Sequence, residues 1–382
     1  MNGYFDHNAT TPLHPAAREA WLRASEKHWH NPSSLYRDAG MASQRLEAAR
    51  ERLGLLLGVE AERIVFTSGA TESNNALLAT FPKDARILFS GIEHPSVTQP
   101  AWHWMQQDPS LPVTSDGVVD LAAAKEKIQV AIKDRPSLVS LMAANNESGA
   151  LQPWKELAVL CHENGVLFHT DASQWLGKLD AEGLGMCDFI TGSAHKFGGP
   201  KGVGFLVVAD STAYQRLGPR FLQGGPQESG RRAGTENYPA IEAMVTALET
   251  ITPRLSQIQN DQSQRRDAFI AAMRSRFEGL RIISEDAPRL WNTVLMVMPA
   301  HHNLKWLTAL SRRGFSISTG SACSSGREGS SVVVTALGAG GDELKRVVRI
   351  SGGWESTSED WVALAAAFGE AFDELNRGGR PQ

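Results

Sequence analysis

The sequence predicts an α/β fold: a mostly parallel sheet between two layers of helices, followed by a smaller α+β unit. Three observations carry that prediction. From Arg63 onward, strand, polar loop and helix follow one another repeatedly. The strands are near-continuous apolar runs, such as Ile64-Val65-Phe66 and Leu138-Val139, rather than alternations of apolar and polar residues. Such runs suit strands covered on both faces. Each run ends in a polar cluster, and in parallel sheets ligands bind beyond the carboxyl ends of the strands.

The chain opens with a turn-rich extended stretch over 1–14. A helix begins near Ala16, and a second covers 41–57 with Leu46, Ala49, Leu53 and Leu57 at helical spacing; Gly58 ends it. Strand 63–67 leads through Ser68-Gly69-Ala70-Thr71-Glu72 into a helix reaching Thr80. Strand 86–89 precedes Glu93-His94-Pro95, and a polar helix covers 121–133. Strand 138–143 ends at Asn145-Asn146-Glu147, and helix 153–164 follows. Strand 166–169 ends at Asp171-Ala172-Ser173-Gln174, and strands 189–191 and 203–208 flank Lys196. After a glycine-rich connection, residues 237–280 read as one long helix. The second unit has strands at 282–283, 293–298, 315–318 and 346–350, with helices at 303–313, 332–337 and from about 358. Ser356 and Glu359 are spaced as a capping box for the last helix. The expected division is a large domain over 15–255 and a small one formed by 1–14 with 256–382.

Composition excludes several classes. The chain has 382 residues and a formal net charge of −4. It holds no run of five Lys or Arg, which argues against nucleic acid as a direct ligand. No apolar run approaches the ~18 residues that span a bilayer. The N-terminus lacks the apolar core of a signal peptide. Three widely spaced cysteines, Cys161, Cys187 and Cys323, suit reduced thiols and a cytoplasmic location rather than disulfides or a zinc site.

The chemistry centres on Lys196, in Ser193-Ala194-His195-Lys196-Phe197-Gly198-Gly199. A lysine on a tight connection between two core strands is either a solvated loop residue or an amine nucleophile of the Schiff-base kind. Ala70 and Thr71 open a helix whose amide N–H groups and dipole favour an anion, although a plain helix start reads the same way. Asp171 is either an ordinary cap or the partner of a cationic ring nitrogen; Gln174 falls on the same side of the following turn. His94, at another strand end, suits stacking on a planar group or proton transfer. Cys323 lies in a polar, partly basic loop, the setting of a reactive thiol, whereas Cys161 and Cys187 read as buried hydrophobes. Arg349, inside an apolar strand, needs an acidic partner from the protein or from a substrate.

Taken together, the blocks YFDHNATTP, HNPSS, FTSGATESNN, EHPSV, NNESGALQP, HTDASQWLGK, GSAHKFGGPKGVG, GRRAGTEN and GSACSS resemble those of the cysteine desulfurases, in the same order and almost end to end. These are class V aminotransferase-type enzymes of fold type I that use pyridoxal 5'-phosphate (PLP). The resemblance implies a seven-stranded-type, mostly parallel sheet in the large domain. It implies that Lys196 binds PLP covalently and moves protons, and that His94 stacks on its ring. Asp171 holds the ring nitrogen and Gln174 the phenolic oxygen. Ala70, Thr71, Ser193 and His195 receive the phosphate, and Thr235 reaches the phosphate of a neighbouring subunit, hence a homodimer. Asn146 contacts cofactor and substrate, and Arg349 takes the carboxylate of L-cysteine. Cys323 accepts the sulfur as a persulfide, alanine leaves, and the sulfur passes to an acceptor protein such as an iron–sulfur scaffold or a sulfur carrier. Four positions depart from the resemblance. Tyr36 stands for histidine, Pro226 for glycine, Ser330 lies near a usual proline, and Trp354 stands for arginine, where it would alter the mouth of the pocket. Selenocysteine lyase or another PLP-dependent elimination or transamination is the alternative enzyme reading. A scaffold without activity is the remaining one.

Overall fold

The computed structural model describes residues 3–108, 110–131, 137–210, 222–319, 332–337 and 340–377. In chain order the first part contains helices α1 (Pro15–Lys27) and α2 (Arg37–Leu57), strand β1 (Ile64–Thr67), α3 (Ala70–Thr80), β2 (Arg86–Phe89) and α4 (Pro95–Met105). It continues with α5 (Leu121–Ala131), β3 (Ser137–Ser140), α6 (Trp154–Glu163), β4 (Leu167–Asp171), β5 (Phe189–Ser193), β6 (Gly204–Val207) and α7 (Tyr238–Ile251). The second part contains α8 (Leu255–Arg276), β7 (Arg281–Ile282), β8 (Thr293–Val297), α9 (Asn303–Arg312), α10 (Val332–Ala336), β9 (Val347–Ser351) and α11 (Ser358–Arg377).

Among the described residues the main sheet has six strands in the order β1-β6-β5-β4-β3-β2. Strands β2 to β5 pair in parallel, while β6 runs against both of its neighbours. The sheet is therefore mixed. The chain from β5 to β6 passes only through the short Lys196 turn, too short for the helical crossover that a parallel pair requires.

Successive residues along each strand enter different cores. Phe66, Val139, Ile190 and Phe205 join one cluster with Leu53 of α2, Leu157 of α6 and Met244 of α7. Val65, Leu138, Phe189 and Leu206 join another with Leu77 of α3 and Val97 of α4. Because the side-chain period of a strand is two, apolar layers on both faces require apolar residues at every position. That requirement produces the unbroken runs in the sequence.

The small sheet is antiparallel, in the order β7-β8-β9. Helices α8, α9 and α11 cover one face through Phe269, Met273, Trp306, Leu310, Trp361 and Phe368. Phe5 of the N-terminal segment enters the same core, and this segment lies along β9 through Ser351 N–H to Phe5 O at 2.9 Å.

Several elements differ from the sequence reading. The single helix expected over 237–280 is two helices, α7 and α8, separated by the turn Thr252–Arg254. Pro253 has no N–H to continue the α-helical ladder. Helix α4 is not legible in the sequence because Pro100 lies inside it. The acceptor that Pro100 would otherwise engage, Ser96 O, takes a hydrogen bond from Asn75 Nδ2 at 3.4 Å instead. The capping box of α11 is formed by Thr357 and Asp360, each accepting the other's backbone N–H, and Ser356 Oγ accepts from Gly353 N–H. The stretch expected as strand 315–318 makes only isolated bridges, Tyr4 to Ser316 and Ser318 to Arg349.

Candidate active site

A cavity of about 540 Å³ opens where β1, β4 and β5 end and the N-terminal segment crosses them. Strand β5 ends at Ser193, and one 3-10 turn, Ala194–Lys196, brings the lysine to the cavity wall. Lys196 Nζ donates to the carbonyls of Asn8 at 2.6 Å and Ala9 at 2.9 Å. The same segment grips the turn at both ends. Thr11 donates from its N–H and its Oγ1 to His195 O, and Thr11 Oγ1 accepts from Gly198 N–H at 2.8 Å. The ammonium group therefore points at carbonyl oxygens rather than into open solvent.

Asp171, the last residue of β4, is only 6 % exposed. Its Oδ1 accepts from Ser173 N–H at 2.9 Å, and its Oδ2 accepts from Asn74 Nδ2 at 2.8 Å. Asn74 also donates from Nδ2 to Ser96 Oγ at 2.8 Å and accepts from Thr191 Oγ1 at 2.8 Å. Ser96 Oγ lies 2.8 Å from His94 Nδ1, which accepts from Ser96 N–H at 3.1 Å. The accepting Nδ1 assigns the ring proton to Nε2. Burial lowers the pKa of His94, opposed by the Asp171 charge and reinforced by Lys196, so the imidazole is neutral at pH 7. A single buried amide thus ties the acid and the imidazole together.

Beside them Glu93 is fully buried, with Oε1 accepting from Met142 N–H at 2.8 Å and Ser90 Oγ at 3.2 Å. Desolvation, with a smaller contribution from the Asp171 charge, pushes its carboxyl up to about 8. It is a neutral acid at pH 7.

One part of the cavity wall is built by the start of α3. Gly69 precedes it with φ +148°, a conformation side chains avoid, and a Cβ there would lie 3.3 Å from Ser193 Oγ. Ala70, Thr71, Ser193 and His195 all line the cavity. His195 Nδ1 lies 3.1 Å from Thr10 Oγ1, and burial, then the charges of Lys196, Lys201 and Lys178, lower its pKa to about 4. It is a neutral hydrogen-bonding group.

Arg349 of β9 is 2 % exposed and reaches the cavity from the small sheet. Its Nη2 donates to Asp6 Oδ1 at 2.7 Å and its Nη1 to Asn146 O at 3.0 Å. The acidic partner that the sequence requires of this arginine is therefore Asp6. Gln174, which also lines the cavity, donates from Nε2 to Asn8 O at 2.9 Å and accepts at Oε1 from Lys178 Nζ at 2.6 Å.

Of the residues singled out in the sequence, Lys196, His94, Asp171, Gln174, Ala70, Thr71, Ser193, His195, Asn146 and Arg349 converge on this one cavity. Thr235 does not line it; it is exposed in the connection before α7. Cys323 and Ser330 lie outside the described residues. Trp354 is not at the mouth of the cavity: its ring lies 6.0 Å from that of His14 and 6.3 Å from that of His7, and it backs Gly198. Tyr36 is exposed, 5.9 Å from the ring of His30, and Pro226 sits in the loop before α7. Four site residues were missed in the sequence: Asn8, Asn74, Glu93 and Lys178. All four fall inside quoted blocks: Asn8 in YFDHNATTP, Asn74 in FTSGATESNN, Glu93 in EHPSV and Lys178 in HTDASQWLGK.

The residues present fit PLP. Among the described residues the buried Asp171 carboxylate forms no ion pair, which leaves it for a cationic ring nitrogen. Ser173 Oγ is buried with no hydrogen-bond partner among the described residues, and the α3 N-terminus faces the same space.

Comparison with known proteins agrees with this arrangement. Residues 3–364 match the family described as aminotransferase class-V. The chain is 33% identical over 368 residues to the cysteine desulfurase IscS of Dictyoglomus turgidum, covering 94% of this chain and 91% of that one. It is 35% identical over 386 residues to a cysteine desulfurase of Rhodobacter capsulatus, covering 97% of both. The NifS-like protein of Rickettsia africae superposes with a TM-score of 0.87 at 29% identity, over 98% of this chain and 100% of that one. Enzymes of this family depend in general on PLP. The chain belongs to the class-V aminotransferase family, among its cysteine desulfurases.

Proposed function

We propose that this protein removes sulfur from L-cysteine, releasing L-alanine and leaving a persulfide on Cys323 for transfer to an acceptor protein. The observation that carries the reading is the meeting of Lys196, Asp171, His94 and Arg349 at one cavity beside an anion-binding helix start. PLP bound there would supply the electron sink that weakens bonds at the substrate's α and β carbons.

The chain's own groups would do the rest. Lys196 supplies the amine that anchors the cofactor and then carries protons beside it. Asp171 balances positive charge on the ring nitrogen, and the Asn74 amide keeps its carboxylate oriented. Gln174 offers an N–H to the ring oxygen. Ala70, Thr71, Ser193 and His195 hold the phosphate by neutral donors and the helix dipole. His94, neutral with its one proton on Nε2, offers a hydrogen-bond donor there without burying a charge. Arg349, preset by Asp6, takes the substrate carboxylate, with Asn146 beside it. Cys323 as thiolate forms a bond to the substrate sulfur while the carbon–sulfur bond breaks, and the released carbon takes a proton.

We also propose a homodimer. Trp29, Leu35, Tyr36 and Met41 are exposed over a short stretch, an apolar surface of the kind a partner covers, and exposed Thr235 would serve the partner's phosphate. The proposed division is a large domain over 15–255 and a small one over 1–14 with 256–382. It is supported by the turn at Thr252–Arg254 and by Phe5 in the small core. No described helix is long and apolar enough to cross a membrane; we propose a cytoplasmic location. Iron–sulfur assembly or another thiolation route is the proposed use of the sulfur.

The test is alanine release from L-cysteine by the PLP-loaded protein. The reading predicts release by the wild type and none by Lys196→Ala. Equal release by both contradicts it.

A further inference from the structure

Lys178 is buried at 3 % exposure, outside the cavity wall, and none of the roles above uses it. A lysine in such a place needs a reason, because its amine gives up water. Among the described residues its Nζ has two hydrogen-bond acceptors, both on one residue: Gln174 Oε1 at 2.6 Å and Gln174 O at 3.4 Å. Burial, and then the charges of Lys196 and Arg349, hold its pKa well below the ordinary lysine range.

Gln174 is held at its other end as well. Its Nε2 donates to Asn8 O, the same carbonyl that accepts from Lys196 Nζ. Asn8 O can only accept, so the atom of Gln174 facing it is the NH2 nitrogen, and Lys178 donates to the oxygen. An amide has two flips that differ little in shape, and here the chemistry of both neighbours selects the same one. The second N–H of Nε2 is thereby left for the cavity.

The turn carrying both residues is rigid. Trp291 Nε1 donates to Lys178 O at 2.8 Å. Gly177, at φ +71°, lets the turn approach the Lys196 segment so closely that a Cβ would lie 2.3 Å from Phe197 Cβ. Asn8 is itself immobilised: Asn292 Nδ2 donates to its Oδ1 at 3.0 Å, and its Nδ2 donates to Thr293 Oγ1 at 2.8 Å.

We infer that Lys178 is a positioning residue that locks the Gln174 carboxamide with its N–H aimed into the cavity, and thereby sets how firmly the ring oxygen of the cofactor is held. This rests on the PLP reading of the site. Lys178→Met keeps the length and removes the donor, so Oε1 of Gln174 loses its partner and the carboxamide is held at its Nε2 end alone. Lys178→Gln keeps a donor.

The experiment loads wild type, K178M, K178Q, Q174L and Q174L/K178M with PLP. It follows the absorption band of the bound cofactor and its loss on dilution, with far-ultraviolet circular dichroism and Tm as folding controls. Cofactor loss is expected to be about ten-fold faster in K178M with a shifted band, nearer to wild type in K178Q, and the same within about two-fold in Q174L and Q174L/K178M. A K178M band and loss rate equal to wild type overturn the inference. So does an added effect of K178M in the Q174L background, which would mean that Lys178 acts other than through the amide. Should K178M not fold, the comparison of K178Q with wild type decides: matching cofactor loss supports the inference, and loss as fast as in Q174L overturns it. Wild-type protein that takes up no PLP overturns the functional reading together with this inference, which separates the two failures.

Discussion

Asn74 Nδ2 lies 2.8 Å from Asp171 Oδ2, and the same nitrogen lies 2.8 Å from Ser96 Oγ, the hydroxyl that touches His94. One buried amide on α3 therefore sets the orientation of two groups on different loops. Replacing it by alanine leaves Asp171 Oδ2 and Thr191 Oγ1 without that partner inside the protein. Asn74→Ala is expected to lower stability by about 1–3 kcal/mol and to weaken PLP retention roughly ten-fold. Urea midpoints and cofactor release on dialysis measure the two effects; unchanged retention would show that Asp171 needs no such support.

Glu93 gives a pH signature. Its folded pKa, about 8, stands above the ordinary glutamate value of 4.5. Between those values the folded chain keeps a proton that the unfolded chain has released. Stability contributed by this group is therefore full below the ordinary value and is lost as pH rises toward about 8. Glu93→Gln, which stays neutral, should flatten this fall, worth on the order of a few kcal/mol. Urea midpoints at about pH 5 and about pH 8 check the sign: the wild type should lose more across that span than E93Q.

Gly177 carries the approach between the Gln174 turn and Phe197. Alanine there meets both a left-handed backbone and a Cβ contact of 2.3 Å. Gly177→Ala is expected to cost about 2–4 kcal/mol and to displace the segment holding Lys196. A urea midpoint close to that of wild type would contradict the tight packing.

Arg349 offers two N–H groups on one planar fork, one to Asp6 and one to Asn146 O. Arg349→Lys keeps the charge and loses the fork. KM for L-cysteine should rise about a hundred-fold with a smaller change in kcat, as expected when a substrate-holding contact is removed. Steady-state kinetics distinguish this from a fall in kcat alone, which would move Arg349 out of the carboxylate-binding role.

Much of this was legible because the chemistry sits in local patterns. The strand ends at Asp171, His94 and Lys196 follow from unbroken apolar runs closed by polar residues, and two-faced burial explains those runs. The direction of β6 is recorded not in the apolar runs but in the shortness of the Lys196 connection, a signal the sequence reading did not use. Helix α4 was hidden by Pro100, whose lost hydrogen bond is compensated by Asn75, a residue distant in sequence. The supports Asn74, Glu93 and Lys178 were hidden for a related reason. A buried polar residue is recognised by its partners, and most of these lie far away in the chain: Asp171 for Asn74, Met142 for Glu93 and Trp291 for Lys178, whose other partner, Gln174, shares its turn. Trp354 shows the converse, since its place in the sequence suggested the pocket mouth and its ring packs instead against His14 and Gly198.

The most direct test of the sulfur relay is mass spectrometry of the Cys323 peptide after incubation of the PLP-loaded protein with L-cysteine. The account predicts a gain of one sulfur atom on that peptide, removed by a reductant, with alanine release abolished in Cys323→Ala. An unmodified Cys323 peptide, with Cys323→Ala releasing alanine as fast as the wild type, would contradict it.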